Sequence, residues 1–188
     1  MATDKKIHGG PQETKRRLID TVEKLLAERH ELDVSLRDIT SAAGVNVAAV
    51  SYHFGSKDAL VQKVIERAVS RLARRQFVAL EVLASRDPPP SAAEILEAWL
   101  TPSLAPEAGE RIAVMARVAR RVGNAKARLP KELSEKAYEK VRRLLFSLLA
   151  ARWPHLPADE LRFRIAATRI AMAALMSAVL DNPGVSHG

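Results

Sequence analysis

Between Gln12 and Arg29 the apolar positions Leu18, Ile19, Val22, Leu25, Leu26 and Ala27 form one stripe at helical spacing, with charged residues between them. A second, shorter helix is signalled by "SLRD": Ser35 can cap it while Asp38 reaches back to the Ser35 amide. It should stop at Gly44, a residue able to take the left-handed conformation that ends a helix. Asn46 can cap a third helix running to about Phe54, and Gly55 breaks it. Ser56 then caps a fourth, with Asp58 in its first turn, and this one can continue to Ser85. At 1.5 Å per residue its roughly 30 residues span about 45 Å.

The prolines of "RDPPPS" end that helix. Further helices are expected at about 91–101, 107–123, 131–152 and 158–181, separated by Pro102, Pro106, the Gly123–Pro130 loop, and Pro154 with Pro157. No segment sustains the two-residue alternation of a strand. The chain is therefore expected to be all-α. An N-terminal three-helix module with a helix-turn-helix, residues 1–57, is joined by the long fourth helix to a C-terminal helical bundle, the second domain being 58–188.

Two short helices joined at a glycine, with apolar Ile39, Ala43, Val45 and Val50, fit a helix-turn-helix. The stretch "AGVNVAAVSYHFGSKDAL" places Tyr52, His53 and Phe54 side by side in a chain whose aromatic content is only 4%. Val50 and Phe54, four apart, can face the core. That leaves Asn46, Val47, Ala48, Ala49, Ser51, Tyr52 and His53 on an outward face suited to the major groove. Tyr52 and His53 suit phosphate hydrogen bonds, and Lys57 adds a charge at the start of the next helix. Ser35 and Arg37 on the preceding helix complete the candidate contact set, with Arg37 the obvious bidentate partner for guanine. The methyl groups of Val47, Ala48 and Ala49 suit thymine methyls.

Charge refines this picture. The chain carries a formal net charge of +8, which favours an anionic partner. Yet residues 1–57 hold nine basic and eight acidic side chains, a net of only +1. The motif, and not bulk charge, marks this end of the chain as the DNA-binding one. With 47% hydrophobic and 28% charged residues the composition is that of a globular protein. There is no cysteine, so disulfides and thiolate metal sites are excluded. The five histidines are scattered without carboxylate partners at metal or triad spacing, so no catalytic residues, metal or cofactor are expected, and the chain reads as a non-enzyme. The apolar run Ile170 to Leu180 is too short to cross a bilayer, and "MATDKKIHGG" is no signal peptide, so no membrane partner and a cytoplasmic location are expected.

The stretch "LRDITSAAGVNVAAVSYHFGSKDAL" resembles the DNA-binding signature of TetR-family transcriptional regulators. Gly44, Val45, Tyr52, His53, Phe54, Ser56, Lys57 and Leu60 fall in register with that pattern, as do Leu36 and Ile39 before them. The strong part of the resemblance covers about residues 12–65. The chain departs from the family's common pattern at Thr40, where alanine is frequent, at Val47, where Lys or Arg is frequent, and at Ser51, where tyrosine is frequent.

The resemblance implies a homodimeric repressor on a palindromic double-stranded DNA operator, released by a small hydrophobic or amphipathic effector. The C-terminal helices would then serve ligand binding and dimerisation. The last helix, rich in Ala and Ser, suits a tight interface, with Tyr138, Val141, Leu145 and Leu148 as further candidates. Trp99, Leu100, Met115, Phe146, Met172 and Met176 are candidate effector-lining residues. Seven basic residues and no acid between Arg111 and Lys131 read either as a solvated face or as an electropositive rim for an anionic effector. The alternative is a helix-turn-helix DNA-binding protein without an effector, whose bundle serves dimerisation or a protein partner.

Overall fold

The computed structural model describes residues 10–28, 34–104 and 131–181. Within them every regular element is helical: α1 (Pro11–Glu28), α2 (Leu36–Ala43), α3 (Val47–Phe54), α4 (Lys57–Ala84), α5 (Ala92–Leu104), α6 (Lys131–Arg152) and α7 (Ala158–Asp181). The all-α expectation is met on these residues. The helix expected over 107–123 lies outside them, as do Met115 and the basic run from Arg111 to Arg128. None of the described helices is long and apolar enough to cross a membrane. Two compact units are present, Met1–Ile65 and Glu66–Gly188, with the division falling inside α4.

In the N-terminal unit α1 packs against α2 and α3, which also pack against each other. Leu18, Val22 and Leu26 of α1, Ile39 and Ala43 of α2, Val50 of α3, and Leu60, Val64 and Ile65 of α4 are the buried apolar residues of this unit, with Val34 before α2. Burial of each larger side chain in such a set contributes about 1.5–3 kcal/mol. The turn between α2 and α3 is a Schellman motif. Gly44 sits at φ 62° and donates its N–H to the Ser41 carbonyl at 3.1 Å, while the Val45 N–H reaches back to the Thr40 carbonyl at 3.0 Å.

The C-terminal unit is built around Ala73, Leu80, Ile95, Trp99, Val141, Leu145, Leu149 and Leu161, contributed by α4, α5, α6 and α7. Helix α5 begins with Ser91 and Glu94 satisfying each other's end of the helix: the Glu94 carboxylate accepts from the Ser91 N–H at 2.8 Å, and the Ser91 hydroxyl accepts from the Glu94 N–H. Arg86 pairs with the same carboxylate at 2.6 Å. These bonds hold the Glu94 carboxyl at about 2, well below its usual 4.5, the Ser91 amide being the largest cause.

Pro102 was expected to separate elements but lies inside α5, which continues to Leu104. The buried Gln76 of α4 helps explain this. Its Nε2 donates to the Trp99 carbonyl at 2.8 Å and to the Ser103 hydroxyl at 3.2 Å, holding the final turn from outside the helix. Gln76 Oε1 is also buried and has no hydrogen-bond partner among the described residues.

Replacing Gln76 by Leu should lower the stability of the C-terminal unit by about 1–2 kcal/mol, since a buried carbonyl and a buried hydroxyl lose their donor. Urea unfolding checks this; an unchanged midpoint would mean that the amide holds nothing in place. Gly44→Ala should cost about 1–2 kcal/mol in the N-terminal unit from backbone strain alone, because beyond Gly44 and its two chain neighbours no atom of the described residues lies within 4 Å of where the new Cβ would sit. Gly44→Asn should cost less, Asn tolerating the left-handed region better. Because its folded pKa is depressed, Glu94 stabilises the start of α5 fully above pH 4.5 and loses that contribution as the pH falls toward 2. In acid titrations followed by circular dichroism, the gap between wild type and Glu94→Gln should close across that window.

Candidate nucleic-acid interface

The candidate site is the outer side of α2 and α3. Ser35 caps α2, its hydroxyl accepting from the Asp38 N–H at 3.1 Å while the Asp38 carboxylate accepts from the Ser35 N–H at 3.3 Å. Asn46 caps α3 by turning Oδ1 to the Ala49 N–H at 2.9 Å. At the other end of α3, Gly55 at φ 79° donates to the Ser51 carbonyl at 3.0 Å. Ser56 then caps α4 through the Ala59 N–H at 3.1 Å. With Gly44 between α2 and α3, all five local signals for starting or stopping these helices act where the sequence places them.

Val50 is buried at 1% exposure and Phe54 is half-buried, so α3 is held through one face, as their four-residue spacing requires. The opposite face is open. Val47 is 49% and Tyr52 79% exposed, and Asn46, Ala48, Ser51, Arg37 and Ser35 are also exposed. Ala49 is half-buried. His53 is half-buried as well, less outward than its neighbours. Its ring lies edge-on to Tyr52 with centroids 4.9 Å apart, and 6.4 Å from Phe54 on the other side. The aromatic cluster is thus a graded stack, from solvent at Tyr52 to packing at Phe54.

Three features of the site escape a reading of the sequence. Thr40, where the resembled family often has alanine, is buried, and its hydroxyl donates to the Arg37 carbonyl at 3.2 Å. A polar group is thereby accommodated in the helix pair without an unmet hydrogen bond. Lys57 is half-buried and donates from Nζ to the Val34 carbonyl at 3.4 Å, joining the start of α4 to the residue before the α2 cap. Lys15 of α1 places its ammonium 5.8 Å from the centre of the Phe54 ring. The partners of Lys57 and Lys15 are distant in sequence, and no local motif announces them.

The candidate effector residues are placed differently from one another. Trp99 is buried in the packed core of the C-terminal unit, and Leu100 and Phe146 are half-buried against it. Arg162 lies over the Phe146 ring, 4.9 Å from its centre. Met172 is half-buried, Met115 lies outside the described residues, and the side chain of Met176 is likewise outside them. Val141 and Leu145, candidates for a dimer face, are buried in the chain's own core, with Tyr138 and Leu148 packed beside them. Burial raises the Tyr138 hydroxyl to about 12, with Arg169 opposing the shift. Among the described residues of the last helix, the exposed large apolar side chains are Phe163 at 71%, Ile170 at 62% and Leu175 at 64%.

Residues 18–64 match the family described as "Bacterial regulatory proteins, tetR family". An HTH-type transcriptional repressor of Mycobacterium tuberculosis (strain H37Rv) is 36% identical over 74 residues, 39% of this chain and 39% of the relative. The HTH-type transcriptional regulator BetI of Brucella abortus is 33% identical over 67 residues, 36% of this chain and 34% of that protein. The matches thus span about two fifths or less of these relatives' length. Among solved structures, a protein from Pseudomonas aeruginosa PAO1 superposes with a TM-score of 0.64 at 22% identity, over 94% of this chain and 84% of its own. A transcriptional regulator from Rhodococcus sp. Rha1 gives 0.62 at 22% identity, over 91% and 86%. These two likenesses establish the fold. Residues 18–64, which take in α2, α3 and the turn between them, are thus the segment that this chain shares with the tetR family of bacterial regulatory proteins.

Proposed function

We propose that the protein is a homodimeric transcriptional repressor that binds a palindromic operator through α3 and leaves it when a small molecule binds the C-terminal unit. The observation that carries this reading is the open outer face of α3, with Val47, Ala48, Ser51 and Tyr52 exposed while Val50 is buried beneath them. A helix held by one face and ending its approach in a left-handed glycine is the geometry by which a second helix enters a major groove. Ser35 and Arg37 from α2, with Asn46, Val47, Ala48, Ala49, Ser51, Tyr52, His53 and Lys57, form the contact surface. The first 57 residues serve as the DNA-binding domain and residues 58–188 as the regulatory and dimerisation domain. The similarity of the N-terminal segment to the Mycobacterium tuberculosis repressor supports repression over activation.

The dimer is supported by the exposed Phe163, Ile170 and Leu175 of α7, with Ala167, Ala171 and Ala174 exposed between them. Small residues among large apolar ones let a second helix approach closely. The ligand is supported by Gln76 Oε1, a buried acceptor beside Trp99 without a partner among the described residues, which a donor on a small molecule would satisfy. The second reading, a regulator without an effector, is supported by the burial of Trp99 within the core.

Selection from a pool of random duplexes at two salt concentrations tests the central reading. The expected result is a palindrome with half-sites roughly 34–36 Å apart, and Arg37→Ala should relax the preference at one base pair of each half-site. Weak, salt-sensitive binding without a motif would overturn it. Phe163→Glu with Ile170→Arg should yield monomers in sedimentation and abolish binding to the palindrome, while leaving helicity unchanged.

A further inference from the structure

The first turn of α3 offers the groove nothing but methyl groups. Val47 is half-exposed and Ala48 exposed, Ala49 is half-buried, and none of the three carries a hydrogen-bonding side chain. Asn46, the polar residue before them, is committed: its Oδ1 accepts the Ala49 N–H at 2.9 Å. Bidentate recognition of adenine uses both the oxygen and the nitrogen of an amide side chain, and in Asn46 the oxygen is turned to the helix end with one of its two acceptor sites engaged there. Ser51 and Tyr52 lie one turn further along the same face, four residues after Val47 and Ala48. Val47 is β-branched, and in a helix its two methyl groups are held in essentially one rotamer.

We infer that Val47 and Ala48 make α3 a reader of the C5-methyl group of pyrimidines in the major groove, so that the protein discriminates thymine, or 5-methylcytosine, from their unmethylated counterparts. This rests on the reading of α3 as the operator-binding helix and adds the chemistry by which it selects. The C5-methyl of thymine is the apolar feature that the major-groove edges present. Covering it with a fixed Val47 methyl removes both from water, and the gain depends on the methyl alone and not on the pairing edge of the base. Thymine and 5-methylcytosine therefore carry the same recognition element at C5. Tyr52 and Ser51, with hydroxyls on an exposed face, bear on phosphates and contribute to affinity without telling bases apart.

The test uses the full chain and the duplex recovered by selection, with each thymine of one half-site replaced in turn by uracil. Uracil keeps the O4 acceptor and the Watson–Crick edge and lacks only the methyl. Replacement at one or two positions should weaken binding about fourfold each, the factor expected for uncovering one methyl-sized group. In the Val47→Ala protein that penalty should shrink toward none at the position Val47 covers and persist elsewhere, which separates direct contact from altered DNA shape. At that position a C·G pair should bind more weakly than the 5-methylcytosine·G pair. A selected duplex that binds tightly and is indifferent to every uracil would overturn this inference and leave the operator reading standing. A uracil penalty unaltered by Val47→Ala and by Ala48→Gly would overturn the assignment to these side chains. Failure to recover any preferred duplex would overturn both readings.

Discussion

The left-handed backbone at Gly44 is the constraint on which the functional half of this protein depends. A helix that must stop after eight residues, turn, and start another eight-residue helix has little length over which to correct an error in direction. The Schellman bonds from Gly44 to Ser41 and from Val45 to Thr40 set that direction within two residues. The same Thr40 places its hydroxyl on the Arg37 carbonyl, so the buried position that departs from the family's usual alanine is tied into its own helix. From there Asn46 can cap α3, Val50 reaches the core, and the opposite face is left in solvent. Any L residue with a Cβ at Gly44 would pull against this sequence of placements.

Much of this was legible because its determinants are local. Ser35 with Asp38, Gly44, Asn46, Gly55 and Ser56 each act on backbone groups within a few residues, and the helical period of the apolar positions needs no partner to be seen. What escaped the sequence depends on partners supplied by the fold. Pro102 reads as a boundary until Gln76, distant in the chain, is seen to hold the Trp99 carbonyl and the Ser103 hydroxyl. Lys57 reads as a charge at a helix start, whereas its Nζ reaches the Val34 carbonyl.

The apolar stripe of α6 shows the same limit in another form. Tyr138, Val141, Leu145 and Leu148 recur at a spacing that serves a partner's surface and a chain's own interior equally well. Only burial separates the two, and Val141 and Leu145 are inside. On α7 the exposed Phe163, Ile170 and Leu175 carry a pattern blurred by the many alanines around them, so the stripe that stays in solvent is the less conspicuous of the two. Periodicity reports that a face is apolar; it carries no information on what covers it.

The way α3 is anchored has a consequence for how such a protein diversifies. Val50 and Phe54 connect the helix to its core, and the two glycines and the Asn46 cap fix its ends. Positions 47, 48, 51 and 52 project away from all of these. Substitutions at these four positions therefore change what the helix meets while leaving the forces that shape it nearly untouched. The residues that shape the helix and those that face solvent are separate within the same eight-residue segment, so the outward surface can drift or be redesigned without the scaffold having to evolve in step.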